Sequence, residues 1–181
     1  MAKPKVLLID YTVSSLGQTE ARLSSLPVDI WICSTIEELE KMVRSGVTFD
    51  LIVFDLVFHS VELGSKLNDY FLKSPLKDVP KILFTKYAWK IKQQEVEHRK
   101  IAIIQLYKRV RDRADVLGVV DKPEEQGLMQ GIENVKDVVE EFVGLFSGSD
   151  RPALSELKAN ITDFIRIRGY AKSNEPNPDL P

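Results

Sequence analysis

Two aspartates, a threonine and a lysine stand at the ends of four apolar runs, and together these four residues could do chemistry. Asp10 closes KVLLID, Asp55 closes DLIVFD, Thr85 closes KILFT, and Lys122 follows VLGVVD just ahead of Pro123. A carboxylate can act as a modest nucleophile or hold a divalent cation. A lysine ammonium neutralises an anion as a point charge, and a hydroxyl donates a hydrogen bond. Continuous apolar runs of this length, bounded by polar residues, read as strands buried on both faces of a parallel sheet. The carboxyl ends of such strands are where open α/β sheets place their chemistry. Asp55 is the centre of the set, because Leu51 to Phe54 form an unbroken apolar run that ends on it.

The elements that must position these residues alternate strictly between strand and helix. Lys5 to Ile9 reads as the first strand. Ser14 or Ser15 can cap a helix running to about Leu26, with Leu16, Leu23 and Leu26 inward and Pro27 beyond. Val28 to Cys33 is a second strand, and Thr35-x-x-Glu38 makes a capping box for a second helix that Gly46 ends. The DLIVFD strand is followed by a helix from about Leu63 to Lys73. Lys81 to Thr85 is the fourth strand and Val116 to Val120 the fifth. From about Gly127, Leu128, Ile132, Val135, Val139, Phe142 and Phe146 recur at helical spacing. This alternation predicts a doubly wound five-stranded parallel sheet in the order 2-1-3-4-5. The domain is expected over residues 1–147, an amphipathic helix over 148–170, and a disordered tail over 171–181.

The fourth unit departs from that regular pattern. Residues 86–113 hold nine Lys or Arg against three acids and neither Gly nor Pro. The expectation is a long helix whose second half, around Ile101 to Tyr107, packs on the sheet while the first half projects, with two shorter helices as the alternative.

Composition narrows the function. A chain of 181 residues with 44% hydrophobic and 29% charged residues suits one α/β domain with an appendage. A net charge of −2 argues against nucleic acid as a partner. Cys33 is the single cysteine, so neither an internal disulfide nor a cysteine-built metal site can form. His59 and His98 have no second His or Cys at metal-ligand spacing. The first strand lacks a cluster of glycines after it, which argues against dinucleotide binding. The amino terminus has too short an apolar run for a signal peptide and no stretch could span a bilayer, so a cytoplasmic location is expected.

Five βα units with Asp, Asp, Thr and Lys-Pro at the ends of strands one, three, four and five resemble the receiver (CheY-like) domain of two-component response regulators. The resemblance covers roughly Lys3 to Phe146 and implies a role for each residue. Asp55 takes the place of the phosphoacceptor, Thr85 that of the hydroxyl residue beside it, and Lys122 that of the lysine that pairs with the phosphoryl group. The Lys122–Pro123 bond is implied to be cis. Asp10 and Asp55 would hold Mg²⁺, weakly, because Tyr11 stands where the family has a second acid. The loop after Asp55 lacks the family's proline, and Val119 occupies the aromatic switch position. The interval from Thr85 to Lys122 is longer than usual by about four helical turns.

The implied function is a receiver-like signalling protein, phosphorylated on Asp55 and acting through protein contacts. Its partner would be a histidine kinase or another signalling protein. The alternative is a pseudo-receiver that serves as an interaction or scaffold module without phosphorylation. Tyr11 favours that alternative. An enzyme is not expected: a phosphatase of the haloacid-dehalogenase type would want an acid where Val57 stands. Receivers commonly use the fourth and fifth units for output. That leads to an expected protein contact, including a homodimer, through the basic fourth unit and a stripe of Leu154, Leu157, Ile161 and Phe164. Packing of the stripe on its own domain is the plainer reading.

Overall fold

The structure is a computed structural model and describes residues 3–86, 100–123, 127–146 and 152–171. Five strands, β1 (Lys5–Ile9), β2 (Asp29–Cys33), β3 (Leu51–Phe54), β4 (Lys81–Thr85) and β5 (Val116–Asp121), pair in parallel in the order β2-β1-β3-β4-β5. Every residue of β3 and β4 is buried, as continuous apolar runs in the middle of a covered sheet require. The helices are α1 (Val13–Leu23), α2 (Ile36–Arg44), α3 (Val61–Lys73), α4 (Lys100–Arg111), α5 (Leu128–Phe146) and α6 (Leu154–Arg168).

Alternate residues along each strand feed two cores. Val6, Leu8, Leu51, Val53, Ile82 and Phe84 pack with α1, α5 and α6. Leu7, Ile9, Ile52, Phe54 and Leu83 pack with α2, α3 and α4 through Leu39, Leu67, Phe71, Leu106, Tyr107 and Val110. The parallel register of β1 and β3 is what places Asp10 and Asp55 side by side on neighbouring strand ends.

Local sequence explains most helix ends. Thr35 and Glu38 form the expected capping box, with the Glu38 amide donating to Thr35 Oγ1 at 3.1 Å. Gly46, at φ 79°, follows the end of α2. Several ends differ from expectation: α1 stops at Leu23 rather than near Leu26, α6 starts only at Leu154, and two helix starts have local causes. α1 begins at Val13 after Thr12, rather than behind Ser14 or Ser15, and Thr12 makes no side-chain cap; Ser15 is buried inside the helix instead. α3 starts two residues earlier than expected because Ser60 caps it, accepting from the Leu63 amide at 3.1 Å. In the fourth unit α4 packs its second half on the sheet as expected; the projecting half falls on residues outside those described.

The C-terminal helix takes the plainer of its two readings, packing on its own domain, and not the contact stripe. Leu157, Ile161 and Ile165 of α6 are fully buried in the same core as β5 and α5. Leu154 and Phe164 pack against that core. The stripe therefore covers its own domain, and Leu157 and Ile161 have no face to offer a partner. Gly118 makes the seating close, since a Cβ there would lie 2.4 Å from Ile165 Cδ1. Ala171, expected to begin a disordered tail, is buried in this core as well. The boundary expected at 147/148 and the rest of the tail lie outside the described residues.

At the amino end of the sheet, Lys81 is fully buried. Its ammonium donates to Leu76 O (2.6 Å), Val79 O (2.7 Å) and Asp115 Oδ2 (2.7 Å). Arg113 holds the same Asp115 with two donors and reaches Asn68 Oδ1. Burial pulls the Lys81 ammonium down to about 8 even with Asp115 beside it.

Candidate functional site

The carboxyl end of the sheet brings Asp10, Asp55, Thr85 and Lys122 together. β1 and β3 run side by side, with Ile9 paired to Phe54, so the residues that follow them, Asp10 and Asp55, are neighbours. β4 lies next to β3 and places Thr85 beside them; β5 lies next to β4, with Thr85 paired to Asp121, and delivers Lys122 as the next residue. The Lys122 amide donates to Thr85 O at 3.1 Å, which fixes the backbone from which the lysine side chain reaches across.

Lys122 Nζ donates to Asp10 Oδ2 and, at 3.2 Å, to Asp55 Oδ2. The remaining oxygens are also engaged. Asp10 Oδ1 accepts from the Thr12 amide at 2.9 Å, and Asp55 Oδ1 accepts from the Val57 amide at 3.3 Å. The Thr85 hydroxyl hydrogen-bonds Asp55. The ammonium also lies 5.5 Å from the centre of the Phe84 ring. All four residues are buried, and Asp55 is only 4% exposed.

Burial raises the Asp55 carboxyl above the usual carboxylate range; the Lys122 charge opposes this and the Asp10 charge adds to it. Burial works against the Lys122 ammonium, but the charges of Asp55 and Asp10 outweigh it and hold the lysine above its ordinary range. Among the described ion pairs, two carboxylates share one ammonium here. Such a cluster can receive an electrophile at Asp55 and balance added negative oxygens through Lys122 and Thr85.

The donor set does not fit a divalent cation as it stands. Mg²⁺ wants several oxygen ligands in octahedral geometry, whereas each carboxylate here already has one oxygen on Lys122 and the other on a backbone amide. Among the described residues no group of three His, Cys, Asp or Glu is placed to hold a metal. Tyr11, at the position of the missing acid, stacks edge-on with His59 at 5.5 Å and 71°. Two features here escaped the sequence reading. His59 adopts a left-handed backbone at φ 65°, which no motif announces. Gly64, read only as part of a loop-and-helix stretch, is a spacing requirement, since a Cβ there would meet Leu56 O at 2.2 Å. The peptide bond before Pro123 is trans, not cis, as are the other described peptide bonds.

No protein-family profile and no curated protein matches the sequence. Solved structures do match the fold. The phosphorylated cyanobacterial phytochrome response regulator RcpA aligns with a TM-score of 0.54 at 16% identity, over 84% of this chain and 100% of that one. A response regulator from Thermotoga maritima aligns with a TM-score of 0.51 at 15% identity, over 78% and 98%. The response regulator domain of Thermotoga maritima CheB aligns with a TM-score of 0.50 at 13% identity, over 78% and 97%. At these identities the likeness establishes the fold: the chain is a CheY-like receiver fold, a five-stranded parallel sheet covered on both faces.

Proposed function

We propose that this protein is a receiver-type signalling module that passes its state to other proteins by contact, with Asp55 as the position that accepts a phosphoryl group. The observation that carries this reading is the convergence of Asp55, Thr85 and Lys122 at one buried strand-end site beside Asp10. A donor such as a histidine kinase would lose its phosphoryl group to an Asp55 carboxylate oxygen. Lys122 would then pair with the phosphoryl oxygens and Thr85 would donate to one of them. In phosphoryl transfer the protein contributes mainly position and charge, and this cluster supplies both. Mg²⁺ binding is weak on this reading, because among the described residues Asp10 and Asp55 are the two carboxylates at the site and both are already engaged. The module works in the cytoplasm and is not an enzyme in its own right. Among the described residues no helix is long and apolar enough to cross a membrane.

A second reading has its own support. Asp55 is 4% exposed, and Lys122 already pairs with it, so the module could hold one state and act as a scaffold without phosphorylation. One experiment separates the two. The protein is incubated with acetyl phosphate and Mg²⁺ and its intact mass is followed. A gain of one phosphoryl group that Asp55→Asn abolishes supports the phosphoacceptor. No gain in mass, together with no fluorescence response of Trp31 to beryllofluoride, leaves the phosphorylation-independent module.

A further inference from the structure

β5 is one of the two edge strands of the sheet, yet its outer side is not left open. The Thr162 hydroxyl on α6 donates to Leu117 O at 2.7 Å, and Lys158 on the same helix donates to Arg113 O just before the strand. The end of α6 completes the cover. Gly169 takes a left-handed conformation at φ 67°, its amide donating to Arg166 O and the Tyr170 amide to Ile165 O. This turn reverses the chain toward β5, and glycine adopts it without strain. Tyr170 O then accepts from the Asp121 amide at 3.0 Å. The Tyr170 hydroxyl donates to Asp137 on α5, and its ring stands edge-on to Phe164.

Asp121 is the residue immediately before Lys122. The last rung of β5 is therefore held on both sides: by Thr85 O on the inner side, through the Lys122 amide, and by Tyr170 O on the outer side, through the Asp121 amide. From that rung the lysine side chain reaches Asp10 and Asp55. The end of an edge strand held by one neighbour alone would be the first part to fray. We infer that the turn from Gly169 to Ala171 is a strap, held in cis by Tyr170 and by α6, that positions Lys122 and so regulates the closed state of the Asp10–Asp55–Lys122 cluster. Tyr170 is on this view a positioning residue, remote from any reacting atom. Anything that pulls the strap from β5 releases the lysine's hold on the two aspartates. The inference rests on the receiver-type reading of the site, since it assigns regulation to that site.

The test uses the full chain. Tyr170→Phe removes the hydroxyl that anchors the strap to Asp137, and Thr162→Val removes the donor to Leu117 O while keeping side-chain volume. Hydrogen exchange is measured by NMR at neutral pH for the Asp121 amide, the Lys122 ammonium and, as a control for global opening, the Ile52 amide in β3. The double variant is expected to speed exchange at both Asp121 and Lys122 by about tenfold, the effect of roughly one lost hydrogen bond, with Ile52 unchanged. Replacing the valine by serine in the same background, Thr162→Ser with Tyr170→Phe, restores a hydroxyl and should recover part of the protection. Faster exchange at Asp121 with Lys122 unmoved overturns the inference, as does an equal rise at all three positions. None of these readouts depends on phosphorylation, so the strap can fail while the phosphoacceptor stands, and the acetyl phosphate experiment decides the converse.

Discussion

The seating of α6 on β5 can be tested by removing a single atom. Gly118→Ala places a Cβ 2.4 Å from Ile165 Cδ1, while the next atom of that side chain, Cγ1, stays at 3.8 Å, an ordinary contact. Overpacking of this kind costs about 1–3 kcal/mol. Ile165→Val deletes the offending Cδ1 and by itself costs about 0.5–1.5 kcal/mol as a small cavity. Together the two substitutions should not add. The double variant keeps the backbone benefit of alanine over glycine in a strand, about 0.5–1 kcal/mol, and loses the clash. It should therefore lie within about 1 kcal/mol of the parent; against single costs that sum to about 1.5–4.5 kcal/mol, a double variant equal to the parent gives a favourable coupling of that same size in a double-mutant cycle. Urea denaturation at neutral pH measures all four corners. Strict additivity, or a Gly118→Ala variant as stable as the parent, would show that Ile165 does not sit over Gly118 and that α6 is not core.

Two further expectations concern the loops around the site. Tyr11→Asp should tighten Mg²⁺ binding by about tenfold or more, because it adds a carboxylate to the two that the described residues place at the site; isothermal titration of parent and variant checks this, and equal affinities would mean that position 11 lies out of reach of the cluster. Gly64→Ala should cost about 3 kcal/mol in a denaturation experiment, since its Cβ would meet the Leu56 carbonyl at 2.2 Å and backbone must move; a variant of unchanged stability would place α3 farther from that loop.

The strands and the site were legible in the sequence for the same reason. A strand covered on both faces must be apolar throughout, so its end is marked by the first polar residue, and Asp10, Asp55 and Thr85 were marked in that way. The fate of α6 was not legible. A stripe such as Leu157, Ile161 and Ile165 has the same period whether it is buried in cis or in trans. The signal that could have decided it was Gly118, a lone glycine within an apolar strand, which often marks a close approach by another element. The cap of α1 was misplaced because serine at 14 or 15 satisfies the same local preference as Thr12. Lys81 looked like the polar start of a strand, and nothing local shows that its partner Asp115 is brought to it by the sheet.

The two buried charge clusters at opposite ends of the sheet differ in a way that separates scaffold from site. At the amino end Lys81 donates to three acceptors, and its Asp115 is shared with Arg113. Two cations share one carboxylate there, and all three lysine donors are used. At the carboxyl end, among the described ion pairs, two carboxylates share one lysine, so one negative charge is not matched by it. The first arrangement favours the fold and the second works against it, so substitutions should have opposite signs. Lys81→Met leaves the Leu76 and Val79 carbonyls without their donor and should destabilise by about 2–4 kcal/mol. Asp55→Asn keeps the Lys122–Asp10 pair and removes the excess charge, and should stabilise by about 1 kcal/mol at neutral pH. The pH dependence follows the same sign. With its native carboxyl raised, Asp55 binds its proton more tightly folded than unfolded, so its contribution to stability falls as pH climbs from the ordinary carboxylate range through that raised value. The gain from Asp55→Asn should accordingly shrink as the pH is lowered into the acid range, where the native carboxyl is already neutral. Urea midpoints of parent and variant across that range check it. An Asp55→Asn variant less stable than the parent at every pH would make Asp55 a structural partner of Lys122 and remove the energetic case for a functional site.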